Sequence, residues 1–272
     1  MKNPKPLKRF GQNYLTDQNI LSKIAEEVNP QPGDKIIEIG PGTGALTAKL
    51  LEKIPSITAV EIDTRVIEEL KLSYPEINLI RGDFLDIDLT ELYDNKKLRI
   101  AGNIPYNLTS PILFKLIENN NIISDAVLMV QFEVAQRMTA QKGSKDYSIL
   151  SVILKYFSDV KISFKVSPNV FYPKPKVYSA VIHIFMKEKQ TSKEADRYLI
   201  KMVKAAFGNR RKTLKNSLSN SIFGNINFSG SGIDLSLRAE QLDLEDFVKL
   251  AEYARIYQKN NTVLPDMQNF PE

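Results

Sequence analysis

Asn103-Ile104-Pro105-Tyr106 is the segment of this chain whose residue types point most specifically to chemistry. An exocyclic amine such as adenine N6 is a poor nucleophile, because its lone pair is delocalised into the ring. It needs no strong base, but it must be held in line with an electrophilic methyl group. The Asn103 side-chain oxygen and the Ile104 backbone carbonyl can accept its two N–H bonds. Those acceptors favour a pyramidal nitrogen whose lone pair faces a sulfonium methyl. Pro105 stiffens the loop, and Tyr106 offers a flat face for a base. Positioning of this kind can supply a large part of the barrier reduction, and π faces help where positive charge moves from sulfur to nitrogen. The plain structural alternative is a proline turn closing a strand, with Asn as its cap.

A second motif lies upstream. Glu38-Ile39-Gly40-Pro41-Gly42-Thr43-Gly44 follows an apolar run and precedes a helical one. Glycines there let the backbone turn sharply and approach a ligand, with helix N–H groups facing it. Together with Ala45 the segment meets the relaxed dinucleotide fingerprint, and Glu61 lies where a ribose-binding acid belongs. A dehydrogenase and a methyltransferase share these features, and either acid could be a solvated turn residue. Asp83, in Arg81-Gly82-Asp83-Phe84-Leu85, could accept from an adenine amine, and Asn103 ends the next strand. Ligands of parallel sheets sit at the carboxyl ends of the strands, so Gly40, Gly42, Glu61, Asp83 and Asn103 should converge on one crevice.

A base drawn out of its stack needs a surface on each face. Tyr106 is one candidate and Phe171 the other, with Tyr172 as the alternative to Phe171. Lys174 and Lys176 flank them for phosphate. DNA adenine methyltransferases use a related loop, usually with two prolines, so the single Pro105 points towards RNA. Two segments are basic without acids: Lys201, Lys204, Arg210, Arg211, Lys212 and Lys215 in one, Lys2, Lys5, Lys8 and Arg9 in the other. On a chain of net charge +5 they fit phosphate contacts.

The elements that must position these residues are legible in the periodicity. Strands are expected at Lys35–Ile39, Thr58–Ile62, Ile77–Ile80, Leu98–Ala101 and Asp125–Val130, with helices through Ala45–Leu51 and Val66–Leu70. This alternation makes a parallel sheet covered by helices on both faces. Val160–Val166 and Val177–Phe185 read as an antiparallel edge pair joined by a proline-rich turn. A polar stretch at 187–192 reads as a linker, and the apolar spacing beyond it is helical. Residues 1–188 are therefore expected to form the catalytic domain and 189–272 a small helical RNA-binding domain.

Composition removes several classes of function. With no cysteine there are no disulfides, thiolate metal sites or thiol nucleophiles, which excludes covalent cytosine-C5 methyl transfer. The only histidine, His183, falls in an apolar strand and is expected to be structural, so no metal site is anticipated. The N-terminus lacks an apolar segment behind its basic residues, and no run of about 18 apolar residues occurs. A soluble, cytoplasmic protein without membrane association is expected.

The chain as a whole resembles the bacterial small-subunit ribosomal RNA adenine dimethyltransferases, the KsgA/RsmA type. The likeness rests on Phe10-Gly11-Gln12-Asn13-Tyr14-Leu15, on Glu38 to Gly44, on Asn103 to Tyr106 and on Phe171 to Val177. It continues through Phe207 to Asn216 and Arg238-Ala239-Glu240-Gln241-Leu242, nearly end to end. The resemblance implies an α/β, Rossmann-like class I methyltransferase with a small α-helical C-terminal domain. It implies S-adenosyl-L-methionine as cofactor, with Asn13 and Leu15 joining the cofactor residues. It implies dimethylation of two adjacent adenosines near the 3′ end of 16S rRNA by a monomer acting on immature small subunits. Large-subunit methyltransferases of the macrolide-resistance type share the superfamily, but the segments Arg210-Arg211-Lys212-Thr213-Leu214 and Arg238–Leu242 argue against them. A non-catalytic mitochondrial transcription factor on the same fold is disfavoured by the intact Asn103–Tyr106 and the lack of a transit peptide. A nicotinamide dehydrogenase would leave that tetrapeptide unexplained.

Overall fold

The computed structural model describes residues 6–7, 11–188 and 191–262. Lys2, Lys5, Lys8, Arg9 and Phe10, and the linker residues Lys189 and Gln190, lie outside the described residues. The chain divides into two compact units. One is built on residues up to Thr139 and from Phe157 to the linker, the other on Ala140–Tyr156 and the chain beyond it.

The first unit begins with a two-residue strand β1 (Tyr14–Leu15) and helix α1 (Gln18–Val28). The Asp17 side chain caps α1 by accepting from the N–H groups of Asn19 and Ile20. Then come β2 (Lys35–Ile39), α2 (Ala45–Leu51), β3 (Thr58–Glu61), α3 (Thr64–Ser73), β4 (Asn78–Arg81), β5 (Leu98–Asn103) and α4 (Thr109–Glu118). Next are β6 (Ile123–Gln131), α5 (Phe132–Met138), β7 (Ser158–Val166), β8 (Phe171–Tyr172) and β9 (Ser179–Met186), while α6 (Ile149–Phe157), between α5 and β7 in the chain, falls in the second unit. Seven strands form one sheet in the order β4-β3-β2-β5-β6-β9-β7, while β1 and β8 pair separately. The parallel strands read as apolar runs because helices cover both of their faces: β6 is buried from Asp125 to Val130.

The expected antiparallel edge pair is present as β7 and β9. β9 runs antiparallel to both β6 and β7 and inserts between them, so only β7 lies at the edge. Burial explains the order. β9 is buried from Ser179 to Ile184, as an interior strand must be, whereas β7 exposes Asp159, Lys161 and Lys165. The 12 residues between β7 and β9 (167–178) also do more than turn, since β8 lies within them.

At the amino ends of β5 and β6 lies a part-buried polar network. Arg99 donates to Asp125 through Nε and Nη2 (2.8 and 2.7 Å) and to Asp34 through Nη1 (2.6 Å). His183 lies between Asp125 (Nε2, 2.9 Å) and Glu27 (Nδ1, 2.8 Å) and stacks on Phe185. The structural role expected for this histidine is the one observed. Burial would raise the Asp125 carboxyl, but the hydrogen bonds from Arg99 and His183 hold it well below the usual carboxylate range.

The second unit contains α7 (Lys193–Phe207), α8 (Leu214–Ser219) and α9 (Leu244–Thr262). Leu199, Met202, Val203 and Ala206 form the buried stripe of α7 at helical spacing. Residues 140–156, which the sequence reading places in the first domain, group with these helices. Tyr147 packs edge-on against Phe207 and donates its hydroxyl to the Leu242 carbonyl (3.0 Å). Among the described residues no helix is long and apolar enough to cross a membrane.

Because Asp125 accepts from both Arg99 and His183, Asp125→Ala would strip the part-buried guanidinium of its main partner and is expected to destabilise the fold by about 3–5 kcal/mol. Urea unfolding monitored by circular dichroism would measure this, and an unchanged midpoint would exclude the network from the fold's stability.

Candidate active site

β5 delivers Asn103 to the carboxyl edge of the sheet, and the chain then turns through Ile104 and Pro105 into a short 3-10 turn at Tyr106–Leu108. Three contacts lock this loop. The Ile104 side chain is buried. The Tyr106 hydroxyl lies 2.7 Å from the Ser179 hydroxyl at the start of β9. Thr109 Oγ1 donates back to the Tyr106 carbonyl (3.0 Å). Burial raises the Tyr106 hydroxyl above its ordinary pKa, partly offset by Ser179, so it stays neutral. Asn103 Nδ2 donates to the Asn13 backbone carbonyl at 3.0 Å. With Nδ2 so used, Oδ1 is the end of the amide left to accept an incoming N–H.

The glycine turn follows β2. Gly40 and Gly42 have φ of +63° and +56°, the left-handed region that glycine adopts without strain. A side chain at Gly42 would come within 3.0 Å of the Tyr14 ring, whereas one at Gly40 would project into open space. The Gly40 backbone is thus bare towards the cavity. The Gly42 N–H donates to Glu61 Oε2 (2.9 Å), and the Asp63 N–H donates to Glu61 Oε1 (2.7 Å). Each Glu61 oxygen keeps acceptor capacity for a ligand hydroxyl. Burial pushes the Glu61 carboxyl up, and those backbone N–H groups pull it partly back.

The acids around Glu61 escape a purely sequence-based reading. Glu38 is buried, accepts from Thr47 Oγ1 (2.6 Å), and is pushed up to about 7 by burial and the nearby Glu61 charge. Asp63 is pulled down to about 2 by Arg65, which binds it from its own helix, and by Gln12, which reaches it at 2.9 Å. Near neutral pH the first carboxyl is thus half protonated and the second ionised. Strand-end position alone gives no signal of that difference; only the partners do.

These segments enclose a cavity of about 330 Å³. Asn13 and Leu15 line it from the N-terminal segment, and Gly40 and Gly42 from the glycine turn. Glu61 and Asp83 line it from the ends of β3 and β4, and Asn103, Ile104, Pro105 and Tyr106 from the loop after β5. Asp83 also accepts from the Leu85 N–H at 2.9 Å, which orients its carboxylate. Phe171 is the exception. It does not line the cavity but is buried in the core that holds Leu15, Val166 and Val181. The reason is register: β8 pairs antiparallel with β1, Leu15 opposite Phe171 and Tyr14 opposite Tyr172. Phe171 shares the inward side of the ribbon with Leu15, while Tyr172 is 63% exposed on the side of Tyr14. Neither Phe171 nor Tyr172 is among the residues that line the cavity.

The cavity's chemistry suits a methyl donor of the S-adenosylmethionine type. It combines bare glycine backbone, acids at two successive strand ends, and the Tyr14 hydroxyl, which is buried without a hydrogen-bond partner among the described residues. In the second unit, Lys201, Arg211, Lys212 and Lys215 are exposed, whereas Arg210 binds Glu240 (3.1 Å) and the Lys145 carbonyl (2.5 Å).

Comparison with known proteins places the chain among methyltransferases. A dimethyladenosine transferase from Plasmodium falciparum superposes with a TM-score of 0.73 at 27% identity, covering 91% of this chain and 98% of that one. The 23S rRNA methyltransferase ErmE superposes with a TM-score of 0.65 at 25% identity, covering 89% and 99%. The fold is that of a Rossmann-like class I methyltransferase. The ribosomal RNA adenine dimethylase family matches residues 4–255. A ribosomal RNA small subunit methyltransferase A from Chlorobium phaeobacteroides is 47% identical over 249 residues, 91% of this chain and 93% of that protein. The chain belongs to the ribosomal RNA adenine dimethylase family.

Glu38 sets a pH dependence. Its carboxyl is raised from 4.5 to about 7 in the folded protein, so its contribution to stability is complete below 4.5 and is lost as pH rises through 7. Glu38→Gln is expected to remove about 3 kcal/mol of that fall, leaving the part due to Glu61. Melting temperatures from pH 4 to 8 would show it as a flatter curve; identical curves would contradict the buried-acid assignment.

Proposed function

We propose that the protein transfers methyl groups from S-adenosyl-L-methionine to N6 of two adjacent adenosines near the 3′ end of 16S rRNA, dimethylating each during small-subunit biogenesis. The observation that carries this reading is the Asn103 amide, tied through Nδ2 to the Asn13 carbonyl at the cavity wall. The small-subunit assignment is supported by the name and 47% identity of the Chlorobium relative.

Bound in the cavity, S-adenosyl-L-methionine supplies an electrophilic methyl group on a sulfonium. Gly40 and Gly42 let the backbone approach it, Glu61 accepts from ribose hydroxyls, and Asp83 accepts from the donor's adenine amine. Asn13 and Leu15 close the cavity from the N-terminal side. Opposite them, Asn103 Oδ1 and the Ile104 carbonyl accept the two N–H bonds of the target adenine, which directs its lone pair at the methyl. The sulfur–methyl bond would break as the nitrogen takes the methyl, leaving a neutral thioether, and the nitrogen would then lose one proton to water, so no side-chain base is required. Tyr106 and Tyr172 provide faces for the flipped base. Exposed lysines and arginines of the second unit, with Lys174 and Lys176, contact RNA phosphates. Such an enzyme works as a monomer in the cytoplasm on the immature small subunit.

Incubation with labelled methyl donor and either immature small subunits or large-subunit RNA tests the assignment. Label is expected on the small-subunit RNA as N6,N6-dimethyladenosine, and label confined to the large-subunit RNA would overturn it. In the same assay Asn103→Ala should lower turnover about 100-fold or more, with donor binding by calorimetry largely kept. Turnover at the unmodified level would remove Asn103 from the mechanism.

A further inference from the structure

One cation outside the cavity is held in an unusual way. Lys165, near the end of edge strand β7, places its Nζ 4.5 Å from the Phe132 ring centroid and 4.1 Å from that of Tyr178. No carboxylate is paired with it among the described residues, and the side chain is exposed. An exposed lysine ordinarily samples many rotamers. Two aromatic faces fix this one and, unlike a carboxylate, leave its charge uncancelled.

Its position follows from the register. Lys165 pairs with Ala180 on β9, and the Phe132 N–H donates to the Tyr178 carbonyl at 2.9 Å. Tyr178 immediately precedes Ser179, the residue whose hydroxyl anchors Tyr106. The cluster therefore occupies the edge of the sheet that carries the catalytic loop, one residue from that loop's anchor. A strand of RNA with one base inserted beside Tyr106 has to continue past this edge.

We infer that Lys165, clamped between Phe132 and Tyr178, is a binding site for the RNA backbone phosphate of a nucleotide flanking the target adenosine. The inference rests on the RNA-methylating reading above and names a positioning residue for that reaction. Lys165 touches neither donor nor reacting amine; it sets how the strand enters.

The test uses Lys165→Gln in the full-length protein, assayed on whichever ribosomal RNA the unmodified protein methylates. KM for RNA should rise several-fold with kcat and donor affinity unchanged, and the slope of log KM against log salt should fall by about one, the loss of one phosphate contact. Lys165→Arg should restore both, since a guanidinium also stacks and binds phosphate. Lys161→Gln, on the same strand but paired with Glu27, should change neither. An unchanged salt slope in Lys165→Gln would overturn the inference, as would a lowered melting temperature with KM unaltered, which would make the cluster merely structural. Failure of the small-subunit assignment would show separately, as label placed on large-subunit RNA by the unmodified protein.

Discussion

The hydrogen bond from Asn103 to the Asn13 carbonyl spans 90 residues of sequence and joins the two walls of the cavity. One end belongs to the loop that receives the substrate amine, the other to the segment that closes the cofactor side. A single amide thus sets both the position of the acceptor oxygen and its orientation. That bond depends on β1 and β8, because their two-residue pairing, with Thr16 bonded to the Val170 carbonyl, keeps the N-terminal segment over the cavity. The ribbon in turn rests on Leu15 and Phe171 buried in the core. Burial of those two side chains is what converts a flexible terminal segment into part of a site.

Electrostatics divide the sheet into two ends with different tasks. At the amino ends of the strands, Arg99, Asp125, His183, Glu27 and Asp34 compensate one another, and the polar groups are consumed in holding the fold. At the carboxyl ends, Glu38 and Glu61 are shielded from solvent and carry raised pKa values, while Asp63 is held ionised by hydrogen bonds from Arg65 and Gln12. Only the second arrangement leaves acceptor capacity facing a cavity. This is the familiar division of α/β sheets, in which ligands gather beyond the carboxyl ends of the strands.

The aromatic residues illustrate how register assigns roles that composition cannot. Phe171 and Tyr172 are adjacent and chemically similar, yet one is core and the other 63% exposed, because neighbours in a strand face opposite ways. Tyr178 and Ser179 likewise divide their roles: the serine anchors the catalytic loop at the start of β9, and the tyrosine just before the strand holds Lys165. A shift of one residue in either pairing would exchange these roles.

The parallel strands, the glycine turn and the strand-end residues Glu61, Asp83 and Asn103 were legible in the sequence, because each is announced by local periodicity or by a short motif. The whole-chain resemblance added Asn13 and Leu15, which no local pattern singles out. What the tertiary structure alone decided were facts of long-range pairing. β9 inserts between β6 and β7, residues 140–156 pack with the helices through Tyr147, and Phe171 turns inward opposite Leu15. So too with the contrast between Glu38 and Asp63, since a carboxyl's pKa is set by burial and by partners brought from elsewhere in the chain. Local sequence specifies which residues can do chemistry; which of them face the same space is determined by contacts between segments distant along the chain.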